Sequence, residues 1–393
     1  FPECVTALFA DGVAAAPTMN TKAVMLALMH ALIKHDVSVI ILTCGGTGAT
    51  GLISSSHAAS DATHGSTWGF LRVLRLEQPV FRVQSVGIAR HTSYPAAMPA
   101  SLILPLGTVA EPEVIQNSKT HYAARLRQCV SALPRRADGP SLPGAYAITG
   151  GLGGLGLRAA SMLMEHDAVI VLLSSRSGGI LLGAQLGMQR LVPGVVAAVD
   201  VGDALSSCHF LTGQVLTGAL HAAGVLRDMT IRSMATIDIA PVFLPKALAA
   251  SHLRSTMICQ PLIMLAFFSS WVSIFGALGQ VNYVSANAYL DSLASMLCTS
   301  GTTGSSLQLP PVSGMGMSAD LFTSNSSLLE KILRIVGFSL DQYAVHLYAS
   351  LSMSLSGRLG AVHAPLPSDG SQLVQVVPNT SALMLTEIAR VPA

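Results

Sequence analysis

Residues 145–156 read AYAITGGLGGLG, and this stretch decides the fold. A short apolar strand candidate, 145–149, runs directly into Gly150, Gly151, Gly153, Gly154 and Gly156, and residues 157–166 follow as a helix candidate. That order is the setting in which a dinucleotide's pyrophosphate is held. Glycines let the backbone approach the phosphates without a Cβ in the way, and the helix start offers unpaired N–H groups and positive dipole. Thr149, Gly150, Gly151, Leu152, Gly153, Gly154, Leu155 and Gly156 are therefore candidate cofactor-binding residues. A second match, GTGATG at 46–51, follows the strand-like run VSVIILT at 37–43. It leads into Leu-Ile-Ser-Ser-Ser, a poor helix opening, and is read as a structural turn.

Beyond the glycine turn the pattern alternates. Residues 169–173, 195–199 and 215–220 read as strands, another ends at Phe267 and Phe268, and 281–296 reads as a helix. Short apolar strands alternating with helices predict an α/β fold with a parallel, doubly wound sheet covered on both faces. The strand after the first helix ends in Ser174-Ser175-Arg176-Ser177. An NAD-preferring site would place Asp or Glu there for the ribose 2′-hydroxyl. Arg176 offers a fork for a 2′-phosphate instead, so the expected cofactor is NADPH.

At 393 residues the chain is long enough for two or three domains and a large core. Residues 134–143 (PRRADGPSLP) read as a linker, and after about Gly314 the alternation dissolves. The expected division is a first unit over 1–133, a linker over 134–144, a catalytic unit over 145–320 and a C-terminal segment over 321–393. Hydrophobic residues make up 51% and charged residues 11%, which raises the question of a membrane span. The apolar part of the longest charge-free stretch, 261–268, is too short for one, so none is expected. A net charge of +2 without a basic run excludes the footprint of nucleic-acid binding. The six scattered cysteines form no C-x-x-C pair and read as reduced thiols of a cytoplasmic protein, and no metal site is expected. The chain begins at Phe1 without Met, which hints at a segment of something longer.

With these motifs in place, residues 146–297 resemble the ketoreductase domain of modular polyketide synthases, within the short-chain dehydrogenase/reductase superfamily. The resemblance rests on TGGLGGLG, SSRSG, Asp200-Val201, HAAG at 221–224, Lys246 and FFSSWVSIFGALGQVNYVSANAYLDSLA from Phe267. In the first half, WGFLRVLRLEQP (Trp68, Gly69, Arg72, Glu77, Pro79) is similar to the non-catalytic structural subdomain that precedes such domains. The resemblance implies two Rossmann-like subdomains, the first degenerate and the second catalytic. It implies Tyr283 as the proton donor, its pKa of about 10 pulled toward neutrality by a nearby cation. It implies Ser270 as hydrogen-bond donor to the substrate carbonyl, Lys246 as the cation and Asn287 as the residue that orients a water. Lysine and asparagine have exchanged the places they hold in simple short-chain dehydrogenases, which is the polyketide pattern. Ser175, Arg176, Asp200, Val201, His221, Ala222, Ala223 and Gly224 would line the cofactor, His221 through its backbone.

The same resemblance implies a β-ketoacyl thioester on an acyl carrier protein, reduced during polyketide or fatty acid assembly beside neighbouring synthase domains. Asp228, in Leu226-Arg227-Asp228, matches the aspartate of B-type domains, and Phe275 stands where A-type domains carry tryptophan, so the lean is to B-type stereochemistry. Three departures stand out: a short crossover over 178–193, another over 202–214, and LPPVSG at 309–314 in place of the usual Trp-rich turn before a lid over 315–333. They leave an inactive ketoreductase-like scaffold as an alternative, beside a freestanding reductase of small ketones.

Overall fold

A computed structural model describes residues 3–9, 17, 19–35, 37–44, 62–88, 111–117, 120–126, 140–179, 194–256, 262–313, 334–355 and 362–365. The turn at 46–51, most of the 178–193 crossover, the 315–333 lid, Cys129 and Cys259 lie outside these residues.

The first half builds one sheet from β1 (Glu3–Phe9), β2 (Val37–Cys44), β3 (Arg82–Ile88), β4 (Glu113–Asn117) and β5 (Thr120–Tyr122), in sequence order. β1 to β4 are parallel and β5 turns back antiparallel. β2 is the β-branched run, and Val39, Ile40 and Ile41 are fully buried on both faces, as a covered parallel sheet requires. Helix α1 (Met19–Leu32) links β1 to β2, and α2 (Ala62–Glu77) links β2 to β3. Both crossovers step the same way along the sheet, so right-handed connections put both helices on one face.

The second sheet is wholly parallel. It comprises β6 (Gly144–Thr149), β7 (Ala168–Ser175), β8 (Gly194–Ala198), β9 (Gly218–His221), β10 (Met264–Ser270), β11 (Gly304–Leu309) and β12 (Val362–His363). Its order is β12-β11-β10-β9-β6-β7-β8, so the chain reverses direction between β6 and β9. Register sets Thr149 opposite His221 at that reversal, and it is outside the carboxyl ends of such strands that ligands bind. The helices are α3 (Gly154–Glu165), α4 (Ala204–Thr212), α5 (Thr236–Phe243), α6 (Ala249–Thr256), α7 (Val272–Phe275), α8 (Val281–Thr299) and α9 (Leu340–Leu355), with a π-helical turn, Leu244–Leu248, joining α5 to α6. The 202–214 crossover thus keeps its helix. Asp203 caps it by accepting from the Ser206 N–H at 2.7 Å.

β10 shows how the layers form. Leu265 and Phe267 point into one core with α8, while Met264, Ala266 and Phe268 point into the other with α3 and α9. The first of these cores is continuous with the first half: Met25, Met29, Phe70 and Leu74 join Ile231, Phe243, Val284 and Leu290. The two halves therefore fold around shared apolar surface.

Contact between them is closest where α2 lies on α8. Gly65 and Gly69, one turn apart, face Val284, Ala288 and Ser292, also one turn apart. A Cβ on Gly69 would stand 2.8 Å from the Ala288 Cβ and 2.9 Å from the Val284 carbonyl oxygen. Gly69→Ala gains up to about 1 kcal/mol of helix propensity. Overpacking of about 1–3 kcal/mol outweighs it, because a backbone carbonyl cannot swing aside. A lower urea midpoint at unchanged slope is the expected result.

Candidate active site

The glycine turn fits an anion. Gly150 takes φ +68°, and a Cβ there would meet the Ala223 backbone nitrogen at 2.6 Å, so no other residue suits this approach of β6 to the segment after β9. The Gly151 N–H bonds the Ser174 carbonyl and the Gly153 N–H bonds that of Gly150. Gly153 is the N-cap of α3 and supplies no side-chain cap, so the first amides of the helix face outward. Tyr343 of α9 braces the turn, its hydroxyl donating to the Leu155 carbonyl at 3.0 Å. At the end of β7 the buried Ser174 Oγ has no hydrogen-bond partner among the described residues, and Arg176 stands exposed beyond it. Asp200 is exposed and accepts from the Gly202 N–H, while Val201 is buried. An open helix end, a buried hydroxyl and an exposed guanidinium are what the phosphates and ribose of a dinucleotide would use.

His221 does more than place backbone. Its ring is fully buried, with Nε2 2.9 Å from the Lys246 carbonyl and Nδ1 2.6 Å from the Thr149 hydroxyl. A carbonyl only accepts, so Nε2 carries the proton and Nδ1 accepts from Thr149. Burial, then the Lys246 charge, push its pKa down to about 3, which keeps the ring neutral. The imidazole thereby ties the first residue of the glycine turn to the π-helical turn that carries Lys246.

Lys246, Ser270, Tyr283 and Asn287 converge. Lys246 is buried; its Nζ donates to the Phe268 carbonyl at 2.9 Å and lies 5.3 Å from the centre of the Tyr283 ring. Burial lowers its pKa to about 8, against the opposing pull of Asp291. Ser270 ends β10, and Tyr283 and Asn287 sit one turn apart on α8, where Asn287 Nδ2 donates to the Tyr283 carbonyl at 2.9 Å. The expectation of a lowered tyrosine pKa is corrected here. Burial raises the Tyr283 hydroxyl above 10.0, and hydrogen bonds from Asn287 and Ser270 offset only part of that. The Lys246 ammonium lies 5.3 Å from the centre of the ring. Asn287 Oδ1 is buried without a partner among the described residues, pointing to a polar visitor.

Asp228 adds to the rise in Tyr283, which puts it on the same side of the site. Phe275 is buried in a small cluster with Trp271, Ile274 and Val336. Among the described residues no His, Cys, Asp or Glu cluster could hold a metal, and no helix is long and apolar enough to cross a membrane.

Sequence reading missed Asp291. It lies one turn beyond Asn287 and is buried, accepting from Ser273 Oγ (2.6 Å), Ser306 Oγ (2.6 Å) and Gln308 Nε2 (2.7 Å). Burial raises its carboxyl despite these donors. The one signal available was its spacing, four and eight residues after Asn287 and Tyr283 on one helix.

Residues 144–314 match the model of the KR domain family. The chain is 32% identical over 253 residues to a mycocerosic acid synthase-like polyketide synthase of Mycobacterium tuberculosis, covering 62% of this chain and 11% of the relative. It is 28% identical over 318 residues to a chalcone synthase of Aspergillus candidus, covering 78% of this chain and again 11% of the relative. The chain thus spans about a tenth of these relatives. Among solved structures, the ketoreductase from the first module of phoslactomycin biosynthesis in Streptomyces sp. HK803 superposes with a TM-score of 0.76 at 25% identity, covering 98% of this chain and 87% of that one. An A1-type ketoreductase (24% identity; 97% of this chain, 82% of that one) and a C2-type ketoreductase (21%; 98% and 83%) share its fold, each at 0.76. Residues 144–314 are thus similar to the ketoreductase domains of polyketide synthases, on a framework of two α/β units with a glycine turn at the switch point of the second sheet.

Proposed function

We propose that the chain is an NADPH-dependent ketoreductase of a larger cytoplasmic synthase for polyketide or fatty acid assembly. It would reduce a β-ketoacyl thioester, presented by an acyl carrier protein beside neighbouring synthase domains, to the β-hydroxyacyl thioester. The observation that carries this reading is the meeting of Tyr283, Lys246, Asn287 and Ser270 beside the uncapped start of α3. In this reading residues 1–133 are the degenerate structural unit, 134–144 the linker and 145–320 the catalytic unit. Residues 321–393 form the C-terminal segment, whose strand β12 extends the catalytic sheet.

The glycine turn at 149–156 and Arg176 would hold NADPH, which would supply the hydride for the ketone carbon. Ser270 donates a hydrogen bond to the carbonyl oxygen, and Tyr283 transfers its phenolic proton there as negative charge develops. The Lys246 ammonium, held at the ring face in a dry pocket, stabilises the phenolate left behind. Asn287 Oδ1 holds a water from which the phenolate is reprotonated. One proton and one hydride enter the substrate, giving the alcohol and the oxidised cofactor.

The test is NADPH consumption by wild type and Tyr283→Phe with a short β-ketoacyl thioester. Thioester-dependent oxidation by wild type alone is expected. Cofactor binding without any oxidation would make the domain an inactive scaffold. Oxidation as fast with small free ketones would make it a diffusible-substrate reductase. Because Asp228 is retained, the D-configured alcohol is expected from a diketide thioester, and chiral analysis dominated by the L-alcohol would overturn that assignment.

A further inference from the structure

Glu77 is the last residue of α2, in the half that holds no reacting group, yet its carboxylate ends in the other half. Oε2 accepts from the Ile231 N–H at 2.6 Å, and Oε1 accepts from the Gly279 N–H at 3.0 Å. These amides belong to two different loops. One, 222–235, follows β9 and carries Asp228; the other, 276–280, joins α7 to α8 and ends three residues before Tyr283.

The two loops are also fastened to one another. The Met229 N–H donates to the Gly279 carbonyl at 2.6 Å, and Gln280 Nε2 donates to Asp228 Oδ2 at 3.0 Å. Asn282 Nδ2 donates to the Arg227 carbonyl at 3.0 Å, while its Oδ1 accepts from the Tyr283 N–H at 2.7 Å. From α1, His30 Nε2 approaches the Ile231 carbonyl at 2.7 Å, and a carbonyl partner makes that nitrogen the donor. The Ile231 peptide is therefore gripped at both ends by side chains of the first half, with its own side chain buried beside Met25 and Met29.

A carboxylate suits this place because it presents two acceptors and no donor. Glutamine has nearly the same shape and can accept from one amide only, while its NH₂ faces the other donor. We propose that Glu77, assisted by His30, is a positioning residue that sets the spacing of the Asp228 loop against the turn leading into Tyr283. It would thereby govern how the substrate is presented. The proposal rests on reading this site as a ketoreductase, and it gives the non-catalytic half a part in catalysis beyond stability.

The experiment compares the full chain with Glu77→Gln, and with Glu77→Ala as the harsher variant. Amide hydrogen exchange is followed over 225–235 and 276–283, with 144–165 as the internal reference. Losing a hydrogen bond to a charged group corresponds to exchange about ten- to a hundredfold faster, and the rise is expected in both loops together while the glycine turn is unchanged. In turnover, the KM for a β-ketoacyl thioester should rise about tenfold and the D-to-L ratio of the product fall, with the dissociation constant for NADPH held. Unchanged exchange in either loop overturns the proposal, as does an equal rise over 144–165, which would mean general loosening. Unchanged KM and D-to-L ratio in an active enzyme overturn it as well. If wild type reduces nothing, the ketoreductase reading fails by itself, and exchange still decides whether Glu77 holds the loops.

Discussion

Replacing Tyr283 by phenylalanine is expected to slow reduction of a β-ketoacyl thioester by about 10²–10⁴-fold while leaving cofactor binding intact. The substitution removes one oxygen from a ring that keeps its packing on α8 and its place 5.3 Å from Lys246 Nζ. The loss would therefore be chemical and not structural, and single-turnover rates at saturating NADPH would separate the two. A pH profile adds a second check. Lys246 titrates at about 8 in the folded chain against an ordinary 10.5, with Asp291 pulling it up and neutral His221 beside it. The ammonium is present below pH 8 and lost above, so turnover should fall as pH rises through about 8. Stability moves the other way. Between 8 and 10.5 the unfolded chain binds more protons at this lysine than the native one, so ΔG of unfolding rises with pH there. Activity and stability parting across one pH window is an outcome that a surface lysine would not produce.

The second large effect is on stability. Glu113 of β4 is buried between two guanidiniums, with Oε2 2.7 Å from Arg72 Nη2 and Oε1 2.9 Å from Arg75 Nη1. Arg72 also donates to the Ser273 carbonyl of α7, so this cluster fastens the first sheet to the segment just after Ser270. Burial alone would raise the Glu113 carboxyl, but the two arginines reverse that and hold it below 4.5. Glu113→Gln leaves two buried cations facing a neutral amide. Breaking a buried ion pair on one side costs about 3–5 kcal/mol. Urea unfolding should show a loss of that size, or no folded protein at all. In the wild type, a carboxyl whose native pKa is depressed contributes stability above pH 4.5 that is lost as pH falls below it. Glu113→Gln should therefore flatten that part of the acid limb.

The fold was legible because local patterns and global architecture agree in the second half. TGGLGGLG announced the strand, turn and helix at the switch point, and the apolar runs after it gave the alternation of a covered parallel sheet. Of the site, the residues that resemblance could align, Ser270, Tyr283, Asn287 and Lys246, do meet. What stayed hidden depends on contacts distant along the chain. The amides that Glu77 holds lie 154 and 202 residues away. The Arg72 bond to Ser273 spans 201. Side-chain direction was equally hidden: nothing in the string HAAG says that the histidine ring turns inward to join Thr149 to Lys246. The wrong direction for Tyr283 arose because a nearby lysine was weighed without the burial that surrounds both groups. Gly65 carries no motif and Gly69 only its place beside Trp68, and the reason for both appears only with α8 laid against them.

Hydride delivery to the ketone carbon of a β-ketoacyl thioester is proposed at the Tyr283 site. Incubating the chain with NADPH carrying deuterium at the transferable C4 position, and reading the product by mass spectrometry and NMR, tests this most directly. One deuterium is expected on the new carbinol carbon for each cofactor oxidised, with none in Tyr283→Phe. Cofactor oxidation that leaves no deuterium in the hydroxyacyl product would contradict it.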